Sequence, residues 1–121
     1  MSAPAWIAVA ALGSLGSLAR FLFDGFVSER STAAFPFGTL AVNASGALVL
    51  GLLSGIALSG TALTLAGSAT IGSYTTFSTW MFETHRLGED GRVLAGVANV
   101  LVSASVGIGA ALLGRTIGAA L

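Results

Sequence analysis

The chain has 121 residues, of which 55% are hydrophobic and 8% charged; its formal net charge is zero and its mean hydropathy +0.92. Soluble domains carry about 25% charged residues, so this chain has too little charge to cover a surface in water, and lipid is its expected solvent. No basic patch points to nucleic acid, and the lack of cysteine rules out disulfides, thiolate metal sites and cysteine nucleophiles.

In chain order, the opening MSAPAWIAV has no basic residue before its apolar run. A secretory signal needs one, so this segment is expected to stay as a membrane span. A helix needs about 20 apolar residues to cross ~30 Å of hydrocarbon. The first run, residues 4–26, is apolar apart from Arg20 and Asp24 near its end, and no charge occurs from Ser31 to Phe82. That second stretch is long enough for two crossings, with its turn expected within GLLSGIALSGTALT at 51–64. The last apolar run starts at Val93 and Arg115 follows it. These features predict one all-α membrane domain over 1–121 with four spans, at about 4–26, 36–58, 62–83 and 93–115.

The second span repeats small residues every four positions, at Ala47, Gly51, Gly55 and Ser59, and the fourth does so at Gly114 and Gly118. Such spacing lets membrane helices approach closely, and 17 glycines predict a tight assembly, expected to be a dimer.

Three polar clusters interrupt the apolar runs. GTLAVNASG places Thr39 and Asn43 four apart, so they share a helix face. In the fourth span Asn99 and Ser103 do the same, continued by Gly107 and Ala111. Interhelical hydrogen bonding and a wetted path both account for these residues. The third cluster is GSYTTFSTW at 72–80. Gly72 and Ser73 are poor helix formers and Thr75 and Thr76 are β-branched, so the helix is weak at mid-membrane. Carbonyls freed there would suit a hard cation and half-helix N-termini an anion. Phe77 and Trp80 share a face, and ring edges carry the positive end of the aromatic quadrupole.

No ionisable residue lies near a span centre, whereas proton-coupled pumps keep one there. Arg20, Glu83 and His85 sit at the edges. There is no nucleophile–base pair and no metal-ligand spacing, so an enzyme is not expected and a passive pathway is.

GTLAVNASG at 38–46 and GSYTTFSTW at 72–80, followed by Glu83, resemble the signature segments of the Fluc (CrcB) fluoride channels. LARF in the first span and NVLVSASVG in the fourth fit the same pattern, so the resemblance covers essentially the whole chain. It implies an antiparallel dimer with a broken third helix and passive fluoride export across the plasma membrane. It further implies a structural sodium ion on the backbone carbonyls of Gly72 and Thr75. Asn43, Phe77, Ser78, Thr79, Trp80 and Ser103 match residues of the fluoride route. Arg20, Thr39 and Glu83 are expected at a vestibule or in structural roles.

Two departures stand out: Trp80 replaces a phenylalanine of the family and Ser73 a glycine. A small multidrug transporter, also built of four short spans, would need a carboxylate within the first span, and WIAVAALGSLGSLARF has none. A subunit that forms only part of a heteromeric pore is the other alternative. Arg20, Arg30, Arg86 and Arg92 flank the first and third connections, against Arg115 alone on the opposite side. Positive charge favours the cytoplasm, so one orientation with both termini outside is expected, with an oppositely oriented paralogue as candidate partner. A topology reporter fused to the C-terminus should therefore read mainly outside; equal signal on both sides would argue for dual topology.

Overall fold

A computed structural model describes all residues, 1–121, and every regular element in it is helical. Helix α1 spans Ala3–Ser28; the Ser2 hydroxyl accepts the Ala5 N–H at 3.3 Å, and a proline in the first turn needs no donor. After Pro36, α2 runs over Phe37–Gly55. Next come a short α3 at Gly60–Leu63, a π-helical stretch at Thr64–Ile71 and one turn, α4, at Gly72–Tyr74. Helix α5 covers Ser78–Glu89 and α6 covers Val93–Ala120. Three of these, α1, α2 and α6, are long and apolar enough to cross a membrane.

The expected boundaries shift in three places. The second span stops at Gly55 rather than near 58, which leaves Ser59 outside the helix whose small-residue face it was expected to extend. The last helix continues through Arg115 to Ala120, because GRTIGAA contains nothing that stops a helix. The expected third span, 62–83, is several pieces that together run from Gly60 to Glu89. Gly72 itself is helical, and regular structure lapses at Thr75–Phe77, where Thr75 is extended (φ −78°, ψ 161°).

Large apolar side chains point outward: Phe21 is 74% and Leu94 83% exposed. The buried positions are mostly glycines, with Thr39, Asn99 and a few hydrophobics such as Val42. This inverts a soluble core and is what helix packing in lipid requires, since lipid solvates leucine as well as protein does.

The tightest seam joins α2 and α6. A Cβ on Gly51 would strike the Ala111 carbonyl, one on Gly114 the Leu48 carbonyl, and one on Gly118 the Leu52 carbonyl. The two backbones therefore touch, and no other residue type fits these positions. Helix α1 lies against the π-helical stretch, where Gly16 meets the Thr70 carbonyl. Helix α5 folds back on α6 through Gly91, whose φ of +76° allows Arg92 N–H to reach the Leu87 carbonyl at 2.8 Å.

The same C-terminal motif closes α2, with Leu58 N–H on the Leu53 carbonyl and Ala57 N–H on that of Ser54. Here the left-handed position is Ala57, at φ +58°. An L-residue with a Cβ pays roughly 1–2 kcal/mol for that conformation. Ala57→Gly should therefore raise stability by about 1 kcal/mol, read as a higher melting temperature in detergent. Gly114→Val should do the opposite, costing ~1–3 kcal/mol or more by overpacking; a monodisperse, equally stable variant would refute the backbone contact.

Candidate functional site

The lapse at Thr75–Phe77 creates a local debt of hydrogen bonds that side chains on α2 settle. In a continuous helix Thr76 N–H would bond the Gly72 carbonyl. It goes instead to Asn43 Oδ1 at 2.9 Å, while Asn43 Nδ2 donates to the Thr76 carbonyl at 2.8 Å. One amide side chain thus pairs with both polar groups of one peptide residue, as a neighbouring strand would. One turn further along α2, Gly46 leaves room for the Thr75 methyl, where a Cβ would collide. Ser45 and the Tyr74 hydroxyl lie 2.8 Å apart just before the interruption. The Thr76 hydroxyl accepts the Thr79 N–H at 3.2 Å and so starts α5.

The Thr75 carbonyl accepts no hydrogen bond, and the Gly72 carbonyl has lost the N–H of Thr76. Both are therefore free acceptors at the interruption. No cluster of His, Asp or Glu side chains that could hold a metal exists in the chain, so any cation here would depend on carbonyl oxygens.

Phe77 and Trp80 form an edge-to-face pair with centroids 5.8 Å apart and planes at 88°. They border an open groove of about 460 Å³ together with Asn43, Gly72, Thr75 and Thr76. Phe77 is 70% exposed there. Sharing Thr76 with this groove is a cavity of about 170 Å³, lined by Arg20, Asp24, Thr39, Thr76 and Thr79 among others. Thr79 also borders a third opening of about 500 Å³ with Glu83, Arg86 and Arg92, at the end where α1 joins α2 and α5 joins α6. Three hollows therefore follow one another, with Thr79 shared by the wide opening and the middle cavity and Thr76 by the middle cavity and the groove.

Most of the residues singled out in the sequence gather here. Arg20 and Thr39 border the middle cavity; Thr39 is buried and donates its hydroxyl to Glu83 Oε1 at 2.5 Å. Ser78 is exposed at the start of α5 and Thr79 sits one residue further in. Ser103 is set apart from the three hollows. Its hydroxyl donates to Asn99 Oδ1 at 3.2 Å. Asn99 is 1% exposed, and its Nδ2 donates to the Thr84 hydroxyl at 2.9 Å and to the Trp80 carbonyl at 3.4 Å. The Trp80 indole N–H, whose partner was open from sequence, donates to the Asn99 carbonyl at 3.0 Å. Tyr74, Ser45 and Thr84 did not stand out in the sequence; only Thr84, one helical turn after Trp80, carried a spacing that could have drawn attention.

A family model described as CrcB-like protein, Camphor Resistance (CrcB), matches residues 7–115. A protein of Mycolicibacterium paratuberculosis named fluoride-specific ion channel FluC 2 is 53% identical over 110 residues, covering 91% of this chain and 90% of that protein. A FluC 2 of Mycobacterium tuberculosis is 52% identical over 112 residues, covering 93% and 89%. More distantly, a Streptomyces avermitilis protein named fluoride-specific ion channel FluC 1 is 42% identical over 113 residues, covering 90% and 91%. With three membrane-length helices and a match along nearly its whole length, the chain is a multi-pass membrane protein that belongs to the CrcB family.

Proposed function

We propose that the chain is a subunit of a fluoride-selective channel that lets fluoride leave the cell passively across the plasma membrane. The observation that carries this is the interruption at Thr75–Phe77, with its Asn43 pairing and aromatic pair, bordered by two hollows. The relatives' names supply the ion. Gly60–Tyr74 and Ser78–Glu89 together make the third of four crossings in chain order, a span broken at mid-membrane. Non-helical backbone is tolerated at such depth only inside protein or along a cavity, and here it has both.

Fluoride is small and strongly hydrated, so a path must replace water with several weak donors and still release the ion. Threonine and serine hydroxyls, one amide N–H and aromatic edges supply such donors. Thr79, Ser78, Asn43, Phe77 and Trp80 are the residues in this role. After Asn43 has spent one N–H on Thr76, its second remains available. Ser103 lies outside these hollows with its hydroxyl on Asn99, so its place on the route rests on the family resemblance alone. Arg20 borders the middle cavity, where its charge attracts anions. Thr39, on the same cavity, and Glu83, on the wide opening, brace the junction of the two through their hydrogen bond.

The open groove beside Phe77 is closed by a second copy running antiparallel. The free carbonyls of Gly72 and Thr75 fit a sodium ion, which would hold the two copies together at their centre. Two oxygens are too few for a hard cation's shell, so the second copy's equivalent pair completes it. A heterodimer with an oppositely oriented paralogue is the second reading, favoured by the four-to-one arginine distribution.

Liposomes containing only this purified chain should release fluoride to an electrode without releasing chloride. Silence from a folded, dimer-sized preparation would point to the paralogue. Asn43→Asp places a carboxylate against the Thr76 carbonyl and in an anion's way. It should lower flux about tenfold or more, matching the ~1–3 kcal/mol of a buried group left unpaired. Undiminished flux would remove Asn43 from the path.

A further inference from the structure

We propose that Asn99, acting with Thr84, is a positioning residue for Trp80: it holds the indole at right angles to Phe77 and keeps its N–H out of the ion's reach. The consequence for transport rests on the channel function proposed above; the positioning itself does not.

Trp80 is gripped at both of its polar ends. Its indole N–H donates to the Asn99 backbone carbonyl at 3.0 Å. Its own backbone carbonyl accepts from the Thr84 hydroxyl at 2.9 Å and from Asn99 Nδ2 at 3.4 Å. Asn99 Nδ2 also donates to the Thr84 hydroxyl at 2.9 Å, so the threonine oxygen accepts from one partner and donates to the other. Asn99 Oδ1 is filled by Ser103. No buried side-chain polar atom in the chain lacks a partner. A fully satisfied polar network of this kind specifies one arrangement, because any rotation leaves a buried donor or acceptor unpaired.

The arrangement decides what the ring shows to the groove. A free indole N–H is a strong, directional donor, and beside an anion path it would hold a small hard anion far more firmly than a C–H edge. With that N–H committed to α6, the groove that Trp80 lines meets an indole ring with no free N–H, set at 88° to Phe77. The clamp thus lets a tryptophan line the groove without adding a trap.

The two tryptophans are Trp6 and Trp80, so a Trp6→Phe background leaves Trp80 as the sole reporter. In it, Thr84→Val keeps the side chain's shape and removes the bridging hydroxyl, while Thr84→Ser restores it. Asn99→Leu is the second variant: it removes the side-chain bonds to Thr84 and to the Trp80 carbonyl while keeping the backbone carbonyl that accepts the indole N–H. Ultraviolet resonance Raman would read the indole N–H bond and an electrode would read fluoride efflux from liposomes. Thr84→Val and Asn99→Leu should weaken the N–H signature and change flux about fivefold or more, the equivalent of one ~1 kcal/mol hydrogen bond. Thr84→Ser should match the parent in both. An unchanged N–H signature in both variants, or a changed signature with parental flux, overturns the proposal. If the parent alone passes no fluoride, the heterodimer reading is indicated, and the Raman comparison alone decides whether Asn99 positions Trp80.

Discussion

Backbone that leaves a helix in hydrocarbon must find hydrogen bonds elsewhere, because no water is present to supply them. Three residues, Thr75 to Phe77, impose that demand, and much of the surrounding architecture answers it. Asn43 takes both polar groups of Thr76, which requires α2 to lie within side-chain reach of the interruption. Gly46 brings α2 that close, and the glycine seam with α6 holds it there. Not every group is answered, however: the Thr75 carbonyl stays free. An unsatisfied carbonyl is costly in isolation, which makes it a natural acceptor for a cation.

The distribution of side chains follows from the same solvent. With lipid outside, burying leucine gains little, so cohesion rests on close backbone contact and on hydrogen bonds between helices. The α2–α6 seam represents the first device and the Asn99–Thr84–Trp80 network the second. They act at different places. The seam fixes α2 against α6, and the network fixes α5 against α6, so α6 becomes the common reference for the two helices that carry Asn43 and Trp80.

Much of this was legible in the sequence, and the reasons for the gaps are specific. The absence of charge from Ser31 to Phe82 and the apolar runs on either side located the long helices, because span length is set by bilayer thickness. Gly72, Ser73, Thr75 and Thr76 marked the weak stretch by propensity, although the lapse falls just after Tyr74 and Gly72 stays helical. Propensity locates a weak stretch, but tertiary partners such as Asn43 decide which peptide leaves the helix. Asn43 was visible as a polar residue needing a partner, but the partner's being Thr76 backbone was not, since pairing across helices leaves no spacing signal. For the same reason Thr84 passed unnoticed, and Asn99 was open between packing and a wetted path until its neighbours in α5 were known. The end of α2 was misjudged because Ser59 was read as continuing its small-residue face, and that of α6 because Arg115 looked like a boundary, yet a lone arginine near a membrane surface can extend its head group to water without ending the helix.

The π-helical stretch at Thr64–Ile71 bears on how this chain can vary in length. Each turn there holds one residue more than an α-helical turn, and the Thr70 hydroxyl, bonded to the Leu65 carbonyl five residues back at 2.7 Å, follows that wider pitch. The segment therefore stores a surplus residue. Deleting one position would let an ordinary helix form, but it would also turn Thr70 away from Gly16, the glycine against which its carbonyl rests. Length in this segment is thus locked to the surface of α1, while the connections on either side of it carry no such lock. Insertions and deletions among relatives should gather in those connections and spare residues 64–71.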